Sequence, residues 1–145
     1  MMFVDTSAFV ALLAGEPDQN RVAAVMDAAP HISTSGIVRL ETVMVLSREL
    51  NVAPGAAQFA FDELIEAADI KIIPFTDEMG RIAVDAFDRF GKGRKSAAQL
   101  NLGDCLSYAA AKGTGMPLLF VGDDFTKTDV PGVLDDPSPM SRKDR

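Results

Sequence analysis

Short apolar runs alternate along the chain with stretches in which apolar residues recur every three or four positions, which predicts strands separated by helices. Met2-Phe3-Val4 is a continuous apolar run ending at Asp5 and reads as a buried strand. Thr6 and Ser7 offer N-cap hydroxyls to a helix whose apolar positions are Phe9, Val10, Leu12 and Leu13, up to Gly15. Glu16-Pro17-Asp18 opens a second helix with Val22, Val25 and Met26 facing inward. His31-Ile32-Ser33-Thr34 gives only a weak strand. Ser35 can cap a long helix over Gly36–Leu50, which Asn51 and Pro54 stop.

The alternation continues in the second half. A helix is expected over Pro54–Ala68, carrying Phe59, Phe61, Leu64 and Ile65, and Ile70–Ile73 is a β-branched strand stopped by Pro74. Thr76 caps a helix through Met79, Ile82, Ala83, Ala86 and Phe87. Gly91-Lys92-Gly93-Arg94-Lys95-Ser96 breaks the periodicity and reads as a flexible basic loop. A helix over Leu102–Lys112 is closed by Gly113 and Gly115, and Leu118–Val121 is a second fully apolar strand, leading into Gly122-Asp123-Asp124. From Asp135 the chain is Pro, Ser and charge, a tail expected to fray. Uniformly apolar strands between helices mark a parallel sheet covered on both faces. The expected fold is α/β, a three-layer α/β/α sandwich with a central, mostly parallel sheet. It forms one domain over residues 1–134, with a flexible tail at 135–145.

Composition narrows the setting. The 145 residues include 48% hydrophobic ones, enough for a real core, and a single Cys, which cannot form an internal disulfide. A reducing cytoplasm is the expected compartment. No apolar run reaches the length of about 18 residues that a membrane span requires, and the N-terminus lacks the basic segment of a secretory signal. The net charge of −7 excludes a protein that coats nucleic acid through bulk positive charge. It leaves open one that holds nucleic acid through a cation in an acidic pocket.

Both apolar strands end in acid, at Asp5 and at Asp123-Asp124, and ligands of open parallel sheets sit beyond the carboxyl ends of strands. Glu41 has only apolar neighbours three and four residues away on its helix: Ile37, Val38, Met44 and Val45. Asp104 opens a helix. Each acid alone has an ordinary reading, as a turn residue, a helix cap or a surface glutamate. Together they lack matching basic partners. Two carboxylates about 4 Å apart repel by about 4 kcal/mol at an effective dielectric of about 20, so a cluster requires a cation or raised pKa values. Carboxylate oxygens suit Mg²⁺ or Mn²⁺, while one His and one Cys far apart argue against zinc. A hard metal at such an edge serves phosphoryl chemistry.

These residues resemble a known family. Asp5-Thr6-Ser7 after the first strand, Glu41 within a helix, Asp104 at a helix start and Gly122-Asp123-Asp124-Phe125 after the last strand are similar to the PIN domain. More narrowly they resemble the VapC-type toxins of prokaryotic type II toxin–antitoxin pairs, over the chain to about Leu134. The resemblance implies a magnesium-dependent ribonuclease, a homodimer, RNA as substrate and a small antitoxin protein as inhibitor. Asp5, Glu41 and Asp104 match the family's metal-binding acids, and Thr6 or Ser7 its hydroxyl position. The family pattern near the last strand is often Gly-Asn-Asp-Phe, which makes Asp124 the fourth acid, with Asp123 at the Asn position as the alternative.

Lys92, Arg94 and Lys95 are the candidates for contacts with an RNA backbone. Tyr108 is either a base-stacking platform or a core residue, and His31 has no partner motif that would make it a general base. Cys105 reads as a small buried hydrophobe. The apolar residues of the first helices and of the Pro54–Ala68 helix are either core or a dimer or antitoxin surface. An antitoxin Arg or Lys could occupy the cation position in the acidic pocket. Two other functions remain open: a different metal-dependent phosphohydrolase or phosphotransfer domain, and a non-catalytic binding module of the same fold. The phosphatase pattern needs a second Asp two residues after the nucleophile, where Ser7 stands. A receiver needs a Lys after its last strong strand, and none follows Val121 directly.

Overall fold

A computed structural model describes residues 1–134. The expected fraying tail at 135–145 lies outside them. Four parallel strands, β1 (Met2–Val4), β2 (Ile32–Ser35), β3 (Lys71–Ile73) and β4 (Leu118–Leu119), form one sheet in the order β3-β2-β1-β4. Six helices connect them: α1 (Thr6–Leu13), α2 (Gln19–Ala28), α3 (Gly36–Leu50), α4 (Pro54–Ala67), α5 (Asp77–Phe90) and α6 (Leu102–Thr114). Successive residues of a strand point to opposite faces, and all three residues of β1 are buried, so helices cover both faces of the sheet. α1 to α4 pack among themselves and α5 packs on α6, as the layered α/β expectation requires.

The strand order reverses at β1. The chain moves from β1 outward to β2 and β3, then returns to place β4 on the other side of β1. A crevice opens at such a switch point beyond the carboxyl ends of the two strands. The residues that follow β1 and β4 are thereby brought to one edge.

Several local expectations are revised. α1 is capped by Asp5, whose carboxylate accepts from the Ser7 amide, so the hydroxyls of Thr6 and Ser7 are free for other contacts. α2 begins at Gln19 and has no side-chain cap. The weak strand β2 is fully buried in spite of its sequence, because Thr34 satisfies its hydroxyl by donating to the Val4 carbonyl at 2.9 Å and Ser35 accepts from the Val38 amide to cap α3. β4 stops at Leu119, since the Val121 amide donates to Ser7 Oγ rather than to the ladder. α6 runs through Gly113 to Thr114. A Cβ at position 113 would stand 3.1 Å from Met79 Cγ, so the glycine serves the close packing of α6 on α5.

The basic loop is pinned rather than free. The Lys92 amide donates to the Leu100 carbonyl, and the Gln99 side chain accepts from the Gly93 amide and donates to the carbonyls of Arg94 and Ser96. Phe61 lies in the core against Phe9, whereas Phe59 on the same helix is 65% exposed. Among the described residues no helix is long and apolar enough to cross a membrane.

Tyr108 is a core residue and not a stacking platform. It is fully buried, and its hydroxyl donates to Asp129 Oδ1 at 2.6 Å. Asp129 also receives Lys112 and Arg89, each at 3.4 Å, so one carboxylate ties the segment after β4 to α5 and α6. Burial and the neighbouring Asp129 push the Tyr108 hydroxyl well above its ordinary pKa, so it remains a donor. Tyr108→Phe is expected to destabilise the fold by about 1.5–3 kcal/mol, the usual worth of a hydrogen bond to a charged group. Urea unfolding of the two proteins measures it, and equal midpoints would show that the bond contributes nothing.

Candidate active site

The residue after β1 is Asp5, which is buried. Its Oδ2 accepts from the Ser7 amide at 3.0 Å and from Ser7 Oγ at 2.7 Å. Ser7 Oγ in turn accepts from the Val121 amide at 3.0 Å. One serine therefore locks the acid of β1 to the segment that carries Asp124. Glu41 comes from the middle of α3 and accepts from Thr6 Oγ1 at 2.5 Å. Its carboxyl lies over Gly103, where any Cβ would collide with it. Asp104 is the third residue of α6. Its carboxylate accepts from the Asn101 amide at 3.1 Å, while Asn101 Oδ1 accepts from the Asp104 amide at 2.8 Å, a reciprocal capping box.

Asp5, Glu41, Asp104 and Asp124 all line one cleft of about 290 Å³. Asp123 does not. It lines a separate depression with Asp18, Arg21 and Leu134. Thr6 and Ser7 line the acidic cleft as well. Lys92 instead lines an apolar groove between α5 and α6, and Arg94 is engaged with Asp88 at 2.8 Å. Neither they nor Lys95 belong to the cleft wall. His31 lies by the amino end of β1, where its carbonyl accepts from the Met2 amide, at the opposite edge of the sheet.

The apolar stripe expected around Glu41 is real only in part. Val38 is buried and Val45 half-buried, but Met44 is exposed. Glu41 thus sits at the rim of the core, half-buried, where its head reaches the cleft.

The electrostatics are those of crowded, poorly hydrated acids. Burial raises the Asp5 pKa, opposed by the Ser107 hydroxyl and then by Ser7. Ser107 Oγ lies near enough to act on Asp5, yet it is buried without a hydrogen bond of standard geometry. Burial raises Glu41 too, with the Thr6 bond opposing and the Asp5 charge adding. Asp104 is pushed up to about 7, first by burial and then by Asp124, Asp5 and Glu41, against the Asn101 amide. Asp104 thus feels the charges of the other three acids, and Glu41 that of Asp5. The four acids do not yet converge: among the described residues no three Asp, Glu, His or Cys side chains stand together as a ready set of metal ligands. Each of Asp5, Glu41 and Asp104 is instead held by its own neutral donor.

Sequence reasoning missed Asn101, Ser107, Glu16, Arg48 and Glu49, of which all but Ser107 line the cleft. Two had a readable signal. Asn101-x-x-Asp104 is a capping pattern, and Arg48 stands seven residues after Glu41, hence on the same helix face.

The raised Asp104 gives a pH-dependent prediction. A carboxyl whose folded pKa exceeds its unfolded value contributes stability that is present below 3.8 and is lost as pH rises toward about 7. Asp104→Asn removes that charge and keeps an oxygen to accept from Asn101. In a chelator, the variant should melt above the parent at pH above 7, and the gap should shrink as pH falls from about 7 toward 3.8. Scanning calorimetry across that range tests it, and a variant less stable than the parent above pH 7 contradicts the repulsion.

Comparison with known proteins agrees with this geometry. The PIN domain family matches residues 2–131. Ribonuclease VapC28 of Mycobacterium tuberculosis is 40% identical over 134 residues, which is 92% of this chain and 98% of the relative. The crystal structure of Mycobacterium tuberculosis VapC20, a Sarcin-Ricin loop cleaving toxin, superposes with a TM-score of 0.71 at 21% identity, covering 90% of this chain and 96% of that one. A toxin–antitoxin complex from Klebsiella pneumoniae has the same fold, with a TM-score of 0.63 at 16% identity over 89% of this chain and 93% of its own. With Asp5 and Asp124 at the ends of neighbouring parallel strands and Glu41 and Asp104 facing them, the chain belongs to the PIN-domain family and, within it, to the VapC ribonucleases.

Proposed function

We propose that the protein is the toxin of a toxin–antitoxin pair, an endoribonuclease that cuts cytoplasmic RNA with the aid of Mg²⁺ or Mn²⁺. The observation that carries the reading is the placement of Asp5, Glu41, Asp104 and Asp124 in one cleft at the switch point of the sheet, with Asp104 raised to about 7. The donor set fits a hard cation. It is made of carboxylate oxygens, it repels itself, and it lies where Gly103 leaves room for the Glu41 head.

Asp5, Glu41, Asp104 and Asp124 would hold the cation, Asp124 rather than Asp123 being the fourth acid because it alone of the two faces the cleft. The bound metal supplies a Lewis acid for the phosphate and a water of lowered pKa. The residues of the chain do the positioning. Ser7 fixes the Asp5 carboxylate, Thr6 fixes Glu41, and the α6 capping box fixes Asp104. In hydrolysis the water oxygen bonds to phosphorus, the P–O3′ bond breaks, and the 3′ oxygen leaves with a proton. Attack by a 2′-hydroxyl would call for a general base such as His, and His31 lies at the far edge of the sheet.

The partners follow the same logic. Val84, Phe87 and Leu102 stand exposed around the apolar groove between α5 and α6, which suits a second copy of the chain. Phe59 on α4 offers an exposed contact for an amphipathic antitoxin helix, and the acidic cleft offers a seat for an antitoxin Arg or Lys. Lys92 and Lys95 are left for RNA contacts outside the cleft. Residues 1–134 form the nuclease unit.

Incubation with total RNA and Mg²⁺ should give fragments with 5′-phosphate and 3′-hydroxyl ends, lost in a chelator and reduced at least a hundredfold in Asp5→Asn. Sequencing the ends identifies the cleaved site. Cleavage that persists in a chelator, or 2′,3′-cyclic phosphate ends, would overturn the metal-dependent mechanism. Induced expression should arrest growth, and co-expression of a cognate antitoxin should restore growth.

A further inference from the structure

Arg48 is the single cationic side chain in the wall of a cleft that six carboxylates also line. It stands in the last turn of α3, seven residues and two helical turns after Glu41, roughly 10 Å along the helix, with Val45 between them on the same face. Every other arginine of the described residues is paired: Arg21 with Asp18, Arg39 with Asp62, Arg81 with Asp77, Arg89 with Asp85 and Asp129, and Arg94 with Asp88. Arg48 alone among those arginines forms no salt bridge and no side-chain hydrogen bond with the described residues, although six acids line the same cleft. A cation in the last turn of a helix is favoured by the macrodipole. That accounts for a positive charge at this position but not for its place in the cleft wall.

Resting on the ribonuclease reading, we infer that Arg48 is the positioning residue for the RNA backbone, its guanidinium taking a phosphate near the one that is cut. A polyanion entering a wall of carboxylates meets repulsion everywhere except at the cation position and at Arg48. The guanidinium fork matches two phosphate oxygens at once, which a lysine ammonium cannot do. Its distance from Glu41 sets the path of the strand: from the acids, along α3, toward the C-terminal end of that helix. A phosphate contact carries no base identity, so Arg48 sets register and direction and leaves sequence choice to other groups. The basic loop cannot take this place, because Lys92 faces the α5–α6 groove and Arg94 is held by Asp88.

The test measures binding apart from cleavage. In an Asp5→Asn background with Mg²⁺ present, a fluorescein-labelled single-stranded RNA of mixed sequence is titrated at several salt concentrations. Arg48→Ala should weaken binding about tenfold and reduce the salt slope by about 0.7, the share of one phosphate contact on a single strand. Arg48→Lys should keep the slope, the melting temperature and the Mg²⁺-induced melting shift, yet recover only part of the affinity, because the charge remains and the fork is lost. In the active protein the loss should appear in KM more than in kcat. RNA binding and salt slope at parental values in Arg48→Ala, with the parent still cutting RNA, overturn the inference and leave the ribonuclease reading standing. Full recovery of affinity by Arg48→Lys overturns it too, since Arg48 then acts only as a counter-charge. A parent that neither binds nor cuts RNA overturns both.

Discussion

Like charges gathered where water is scarce are the constraint to which the rest of the structure answers. Asp5, Glu41 and Asp104 are all raised by burial, and the charges of their neighbours add to the effect on Glu41 and Asp104. A fold that only sought stability would disperse such groups or pair them with cations. This one holds them in place with neutral donors: a hydroxyl and an amide from Ser7, a hydroxyl from Thr6 and the Asn101 amide. Neutral donors fix geometry without cancelling charge. The cleft therefore keeps its negative field, which a cation entering it would neutralise.

The surrounding architecture can be understood as the means of holding that arrangement. β1 and β4 are adjacent because the strand order reverses there, which puts Asp5 beside the segment carrying Asp124. Ser7 joins the two by accepting from Val121 while donating to Asp5, and so ends the β4 ladder early. α3 and α6 bring Glu41 and Asp104 from opposite helix groups, and their approach depends on Gly103 lacking a side chain. Tyr108 and Asp129 tie the segment after β4 back to α6. The polar hydroxyls at Thr34 and Ser35, unusual in a central strand, are each satisfied locally, so β2 can stay buried.

Most of the fold was legible in the sequence, for physical reasons that differ by element. The apolar runs of β1 and β4, the capping residues Ser35 and Thr76, and the stop at Asn51 act locally and announce themselves. β2 was faint because its burial rests on a contact with β1 across some thirty residues, which local pattern does not contain. The end of β4 was misjudged for the same reason, since Ser7 decides it from far away in sequence. The four acids were legible as positions at strand ends and on helices, and the choice between Asp123 and Asp124 was not. It depends on which way the chain turns after Gly122. Where the basic loop lies relative to the cleft was not legible either, because three cations near Asp104 in sequence need not line the same wall in space.

Arg48 shows what that last distinction costs a reading made along the chain alone. Proximity in sequence favoured Lys92, Arg94 and Lys95, nine to twelve residues before Asp104. Helix geometry favours Arg48, because a rigid helix carries the orientation of Glu41 forward two turns with little error, whereas a loop carries none. The difference in pairing has the same origin. Arg94 extends from a loop folded against α5 and finds Asp88 there, while Arg48 extends from a helix end over a cleft in which Ser7, Thr6 and Asn101 engage Asp5, Glu41 and Asp104. An acidic protein can in this way offer RNA one correctly placed positive charge without a basic surface.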